Sequence, residues 1–176
     1  NPLQEWFQEE GDRITRPPID TIKYVLDYVN FPIIVKEVGQ GIGPKSLKAL
    51  MQLPLAAIEF GAFGGTNFAK LELLRSEMSD NPLALVGHSA SEMVEIINKL
   101  VVELGSKLSC NEYIVAGGIV SFLDGYYLTQ KLVPNAIFGQ AYKFLSYAAN
   151  DYKILTKMIA RNLANLKMAQ NYLDAK

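Results

Sequence analysis

The chain has 176 residues, of which 49% are hydrophobic and 20% are charged, with a net charge of −1 and a single cysteine. This composition predicts one domain with a hydrophobic core, and the near-zero charge gives no electrostatic case for a nucleic-acid or membrane-surface partner. With one cysteine, no signal peptide and no apolar run of membrane-spanning length, we predict a cytoplasmic protein.

Strand-like and helical patterns alternate along the chain. Four short apolar runs, each bounded by Gly, Pro or Asn, are predicted as buried strands: 32–38, 55–60, 113–116 and 136–138. Helices are predicted to begin near Pro18, Pro44, Ala69, Ser89 and Asn150. The helix after Ser89 carries the capping-box pattern with Glu92 and a stop signal at Gly105. The run 83–86 fits either a short strand or an apolar loop.

This alternation predicts βαβ units and a parallel sheet, with the glycine-rich and polar clusters at the carboxyl edge where such folds bind ligands. A closed (β/α)₈ barrel needs eight strands and about 250 residues. We therefore predict an α/β fold of the TIM-barrel type of which only half is present. An open half leaves strand edges and the inward faces of Ile34, Ile58, Val115 and Ile137 uncovered, which predicts pairing with a second copy or with a missing half.

The most informative segment is Gly64-Gly65-Thr66-Asn67-Phe68-Ala69-Lys70-Leu71-Glu72, or GGTNFAKLE. It lies between a predicted strand and a predicted helix. Adjacent glycines let a phosphate or a flat ring approach the backbone, and a helix N-terminus offers unpaired donors. A tight turn without a ligand is the alternative interpretation of the glycines alone.

Four motifs in this order, NPLQEWFQEEGDR, IIVKEVGQGIG, GGTNFAKLE and AGGIVSFLD, resemble the C-terminal half of a type 2 isopentenyl-diphosphate Δ-isomerase. The resemblance implies an FMN-dependent (β/α)₈ barrel, with strands five to eight in residues 1–149 and a C-terminal helix of the same domain in 150–176. It also implies a flavoprotein isomerase of isoprenoid biosynthesis that interconverts isopentenyl and dimethylallyl diphosphate. The chain begins with Asn1 rather than Met, which favours a fragment of the enzyme.

The first motif carries the residues implied to act on the substrate. Gln4 is expected at the end of barrel strand four, beside the reacting carbons, as a catalytic and substrate-binding residue. Glu5 is expected to bind a Mg²⁺ that bridges the diphosphate, a ligand set that Mg²⁺ prefers. From the residues alone, a solvated polar pair is the favoured interpretation of Gln4 and Glu5.

The other motifs carry the residues implied to bind FMN. Lys36 and Thr66 match positions that contact the flavin, and a lysine charge there would stabilise the reduced, anionic form. The phosphate is expected against two further groups of residues, which are Gly117, Gly118, Ile119 and Val120, and Ala141 and Tyr142. The resemblance implies that reduced FMN is the acid–base and that NADPH serves only to reduce it. Without the flavin, Lys36 could simply reach solvent or pair with Glu37 or Glu59.

Three departures weaken the match. Val120 stands where an arginine is usual, the Trp-Gly-containing loop reads Leu85-Val86-Gly87-His88-Ser89, and two extra residues fall between Asp124 and Ala141. With the other half of the barrel absent, we expect the isolated chain to be inactive. The alternatives are a non-catalytic half-barrel that binds FMN or phosphate, and a different FMN-dependent barrel oxidoreductase. We expect a homo-oligomer, or a complex with the missing N-terminal half, and no nucleic-acid or membrane partner.

Overall fold

The computed structural model describes residues 2–14, 16–76 and 81–175, so Asn1, where the first motif begins, lies outside the described residues. Four parallel strands form one sheet in the order β1 (Ile34–Lys36), β2 (Ala57–Glu59), β3 (Glu112–Val115) and β4 (Asn135–Phe138). Each strand pairs only with its neighbours in sequence. The predicted alternation of parallel strands and helices is therefore confirmed, with each strand inside or within one residue of its predicted run.

Eight α-helices lie in the described residues: α1 (Pro2–Phe7), α2 (Pro18–Tyr28), α3 (Pro44–Leu50), α4 (Phe68–Arg75), α5 (Ala90–Leu104), α6 (Phe122–Lys131), α7 (Tyr142–Ala148) and α8 (Tyr152–Tyr172). The predicted capping box is present, since the Ser89 hydroxyl accepts from the Glu92 N–H and the Glu92 carboxylate accepts from the Ser89 N–H at 2.7 Å. Gly105 ends that helix at φ +51. The run that fitted strand or loop is a 3₁₀ turn, Pro82–Leu85.

The main core lies between one face of the sheet and the helices. In the strand register Val35, Ile58 and Tyr113 stand side by side on this face, and Ile58 and Tyr113 are almost completely buried. Their partners come mainly from α3 and α5, whose buried residues Leu47, Leu50, Met93 and Ile97 belong to the same cluster. Burying such side chains stabilises the fold by about 1.5–3 kcal/mol each.

The opposite face of the sheet is only partly uncovered. Ile34 and Ile137 are 54% and 66% exposed, as predicted for inward faces of an open sheet. The prediction is wrong for Ile58 and Val115, which are fully buried. Strand side chains alternate between faces, and the register places these two residues on the helix side.

The two ends of the chain pack on the outside of this layer. Leu3 and Phe7 of α1 pack against a small cluster formed by Ala69, Leu73 and Ala84. At the other end, α8 packs on α6 and α7, and Met158 and Ala169 are its buried residues. None of the helices in the described parts of the chain is both long and apolar enough to cross a bilayer.

Candidate functional site

A cavity of about 890 Å³ opens at the carboxyl edge of the sheet, where the loops after all four strands meet. This volume falls in the range of small-molecule and cofactor pockets. The cavity is lined by all eight residues predicted to bind the cofactor, which are Lys36, Thr66, Gly117, Gly118, Ile119, Val120, Ala141 and Tyr142. The structure thus brings these residues together, while their role in flavin binding stays a prediction.

Two glycine-rich loops form the middle of the cavity wall, and their backbones pack directly against each other. A Cβ added to Gly64 would lie 3.0 Å from the Gly118 Cα, and one added to Gly65 would lie 3.4 Å from the Gly117 Cα. Gly117 has φ +93, and its Cβ would come within 2.2 Å of the Ala62 carbonyl oxygen. No side chain fits between these loops, so the glycines allow the two backbones to pack together in the cavity wall.

The loop after β1 is held by a carboxylate from its own strand end. One oxygen of Glu37 accepts backbone N–H groups from Gly39, Gln40 and Gly41 at 2.7, 2.6 and 3.0 Å. The buried Gln40 side chain then donates to the Val86 carbonyl oxygen at 2.6 Å. The Glu37 carboxylate is therefore occupied by backbone hydrogen bonds. The loop that it holds forms one side of the cavity.

Lys36 and Glu59 form an ion pair in the cavity wall. They are direct neighbours in the register of β1 and β2, and their side chains approach to 3.4 Å between Nζ and Oε1. The Lys36 side chain is 55% exposed and that of Glu59 is 23% exposed. Lys36 thus lines the cavity and also forms the ion pair with Glu59 that was the alternative interpretation of this lysine.

Thr66 and Asn67, the two polar residues before α4, have different roles. Asn67 is the N-cap, because its side-chain oxygen accepts from the Lys70 N–H at 2.9 Å. Its side-chain amide also donates to the Ala84 carbonyl oxygen at 2.5 Å. Asn67 is therefore occupied by the fold, whereas the exposed Thr66 lines the cavity.

The far wall comes from the loops after β3 and β4, which are tied together. The Gln140 side chain donates to the Ile119 carbonyl oxygen at 3.0 Å, and the Gly139 N–H donates to the Val115 carbonyl oxygen at 2.9 Å. Lys143 and Ser146 line the cavity from α7, one helical turn apart. This pair was not predicted, since nothing in the sequence distinguishes Lys143 from a surface lysine.

Gln4 and Glu5 lie apart from this cavity. Both are on α1, a helix that packs against α4, and neither lines the cavity wall. Glu5 accepts the Ile14 backbone N–H at 2.9 Å. In this structure residues 2–7 form a helix rather than a strand end, and the catalytic and metal-binding roles of Gln4 and Glu5 stay predictions. Within the described residues no group of three or more His, Cys, Asp or Glu side chains could hold a metal ion.

The chain is similar to proteins named isopentenyl-diphosphate delta-isomerase. It is 42% identical to that of Bacillus pumilus over 77 residues, 44% of this chain and 22% of the relative. It is 36% identical to that of Moorella thermoacetica over 124 residues, 70% of this chain and 34% of the relative. With that of Rickettsia africae it shares 29% identity over 171 residues, 96% of this chain and 48% of the relative. The chain thus spans about half the length of these relatives at most, and no family model matches it.

Proposed function

We propose that this chain, a relative of the isopentenyl-diphosphate delta-isomerases over nearly its whole length, is the FMN-binding half of such an isomerase. In this proposal the four-stranded sheet is half of a (β/α)₈ barrel, and the complete protein interconverts isopentenyl and dimethylallyl diphosphate. The observation that carries it is the meeting of all eight predicted flavin-binding residues at one cavity.

The shape of the cavity supports a flavin. The wall between Gly64 and Gly118 is bare backbone, which suits a flat ring or a phosphate group because amide N–H groups can then contact the ligand directly. Apolar contacts would come from Phe68 and Ile119. The cavity volume of about 890 Å³ is large enough for a nucleotide-sized ligand.

The chain's own residues would divide the work of binding. Lys36 adds a positive charge to the β1 side of the cavity, and Thr66 adds a hydroxyl on the β2 side. Glu59 partly neutralises the Lys36 charge through their 3.4 Å ion pair. When bound and reduced, FMN would supply the acid–base group that moves a proton at the substrate's double bond. Closing the cavity with the rest of a barrel would exclude water from that site.

Gln4, Glu5, Mg²⁺ and NADPH enter the proposal only for the assembled protein. The present position of Glu5, with its carboxylate on the Ile14 N–H, does not offer a metal ligand to the cavity. NADPH would act as the reductant of the flavin and needs no site of its own in the described cavity.

Flavin titration tests the proposal. We expect the chain to quench FMN fluorescence with one site per chain, and Thr66→Val and Lys36→Met each to weaken binding. Loss of one hydrogen bond corresponds to about 1 kcal/mol, or about fivefold in Kd. Lys45→Met, on the exposed side of α3, is the matched control and should bind as the parent does. If both cavity variants bind FMN as tightly as the parent does, FMN does not bind in this cavity.

A non-catalytic half-barrel that binds FMN or phosphate is the second candidate. One observation favours it, namely that Gln4 and Glu5, the residues assigned to the substrate, lie outside the cavity. The two candidates differ in an isomerisation assay of the chain mixed with the N-terminal half of a relative, reduced FMN and Mg²⁺. If the mixture forms product and Gln4→Ala abolishes it, the chain is half of an isomerase. If the mixture binds flavin but forms no product, the chain is a non-catalytic half-barrel.

A further inference from the structure

Two lysines line the cavity at opposite ends of the sheet, and they differ in whether a carboxylate neutralises their charge. Lys36, next to β1, is paired with Glu59. Lys143 follows β4 and has no ion pair within the described residues. β1 and β4 are separated by three strand spacings, or about 14 Å. A ligand that contacts both ends must therefore be elongated, and its anionic group is drawn to the end where the lysine charge is not already neutralised.

The loop after β3 provides no charge at that end. Its cavity-lining residues run from Ala116 to Val120, and Val120, where the resemblance predicts an arginine, is 74% exposed and apolar. The loop nevertheless offers backbone, since Gly117 and Gly118 have φ of +93 and +71. Its position beside α7 is fixed by the hydrogen bond from Gln140 to Ile119.

We infer that Lys143 supplies the positive charge that binds the phosphate end of the ligand, with Gly117 and Gly118 as its backbone neighbours. This rests on the proposed function, because it takes FMN as the elongated ligand. Ser146 faces the cavity from the same side of α7, three residues further on. Its hydroxyl donates to the Lys143 carbonyl oxygen at 2.8 Å, so it ties down the turn that carries the lysine.

The test compares FMN with riboflavin, which has the same ring but no phosphate. The parent chain is expected to bind FMN more tightly than riboflavin. Lys143→Met should weaken FMN binding about tenfold or more and leave riboflavin binding unchanged, because charge-assisted contacts to phosphate are the strong ones. Lys143→Arg should keep most of the FMN affinity. Lys157→Met, an exposed lysine on the neighbouring α8, is the control and should change neither affinity.

Inorganic phosphate separates this inference from the proposed function. It is titrated into the labelled chain while the Gly117 and Gly118 amide signals are followed by NMR. If flavins fail to bind but phosphate shifts these signals in the parent and not in Lys143→Met, the phosphate site stands and the flavin function fails. If FMN binds and Lys143→Met leaves its preference over riboflavin intact, the flavin function stands and Lys143 is excluded. Equal binding of FMN and riboflavin by the parent, or no response to either flavin or phosphate, overturns the inference.

Discussion

Gly117→Ala is predicted to destabilise the fold through the wall of the cavity. At φ +93 a residue with a Cβ is strained, at a cost of about 1–2 kcal/mol. The added Cβ would also lie 2.2 Å from the Ala62 carbonyl oxygen and 2.5 Å from the Ala62 nitrogen, so the backbone must move. That nitrogen donates to the Ala116 carbonyl oxygen at 2.8 Å, and losing this bond adds about 1 kcal/mol. We expect a total loss of about 2–3 kcal/mol.

Urea unfolding followed by circular dichroism measures this loss as a shift in midpoint at constant slope. Gly139→Ala is the matched control from the same cavity wall. Its Cβ would meet only the Ala116 Cβ, at an ordinary 3.8 Å, and its φ lies outside the left-handed region. We expect the control to stay within about 0.5 kcal/mol of the parent, as a change without a clash should. Equal stability of the two variants would refute the argument that the two loops touch through bare backbone.

Three further predictions concern charge, pH and association. Glu59→Gln should cost less than about 1 kcal/mol of stability, since its ion pair with Lys36 is partly exposed. It should also tighten FMN binding a few-fold in a fluorescence titration. Weaker FMN binding would contradict the claim that Glu59 neutralises the Lys36 charge. Hydrogen bonds from Ser89 lower the pKa of Glu92, so Glu92→Gln should destabilise the chain at pH 7. The difference in unfolding free energy between parent and variant should shrink as the pH falls through that lowered pKa. A pH-independent difference in urea midpoints would contradict this prediction. The exposed Ile137 should promote association, so Ile137→Asp should lower the mass seen by light scattering while Val133→Asp, outside the sheet face, should not; a parent that stays monomeric at high concentration would exclude the idea.

The sequence was informative where the structure depends on local signals. The four strands follow apolar runs bounded by Gly, Pro or Asn, and the Ser89–Glu92 capping box fixes the start of α5. Sheet geometry predicted only that the loops after the parallel strands meet at one edge, and the family resemblance named the residues of those loops that line the cavity. The 3₁₀ turn at Pro82–Leu85 was less clear, since four apolar residues fit several structures, and here Asn81 caps it through the Leu83 N–H.

Features that depend on long-range geometry were not predictable in the same way. Ile58 and Val115 were assigned to the wrong face because the side on which a strand residue lies depends on register and on where the helices pack. The position of Gln4 outside the cavity was also not predictable, because it depends on the packing of α1 against α4. Lys143 could be recognised as a candidate only once the fold placed it in the lining of the same cavity as the glycine loops.

The central claim is that FMN binds against the two glycine loops of this chain. Hydrogen exchange followed by mass spectrometry, with and without saturating FMN, tests it most directly. We predict that FMN slows exchange in the segments 61–68 and 116–120, which line the cavity, and leaves the exposed part of α8 unchanged. The absence of any FMN-dependent protection, or protection confined to segments outside the cavity, would contradict the account.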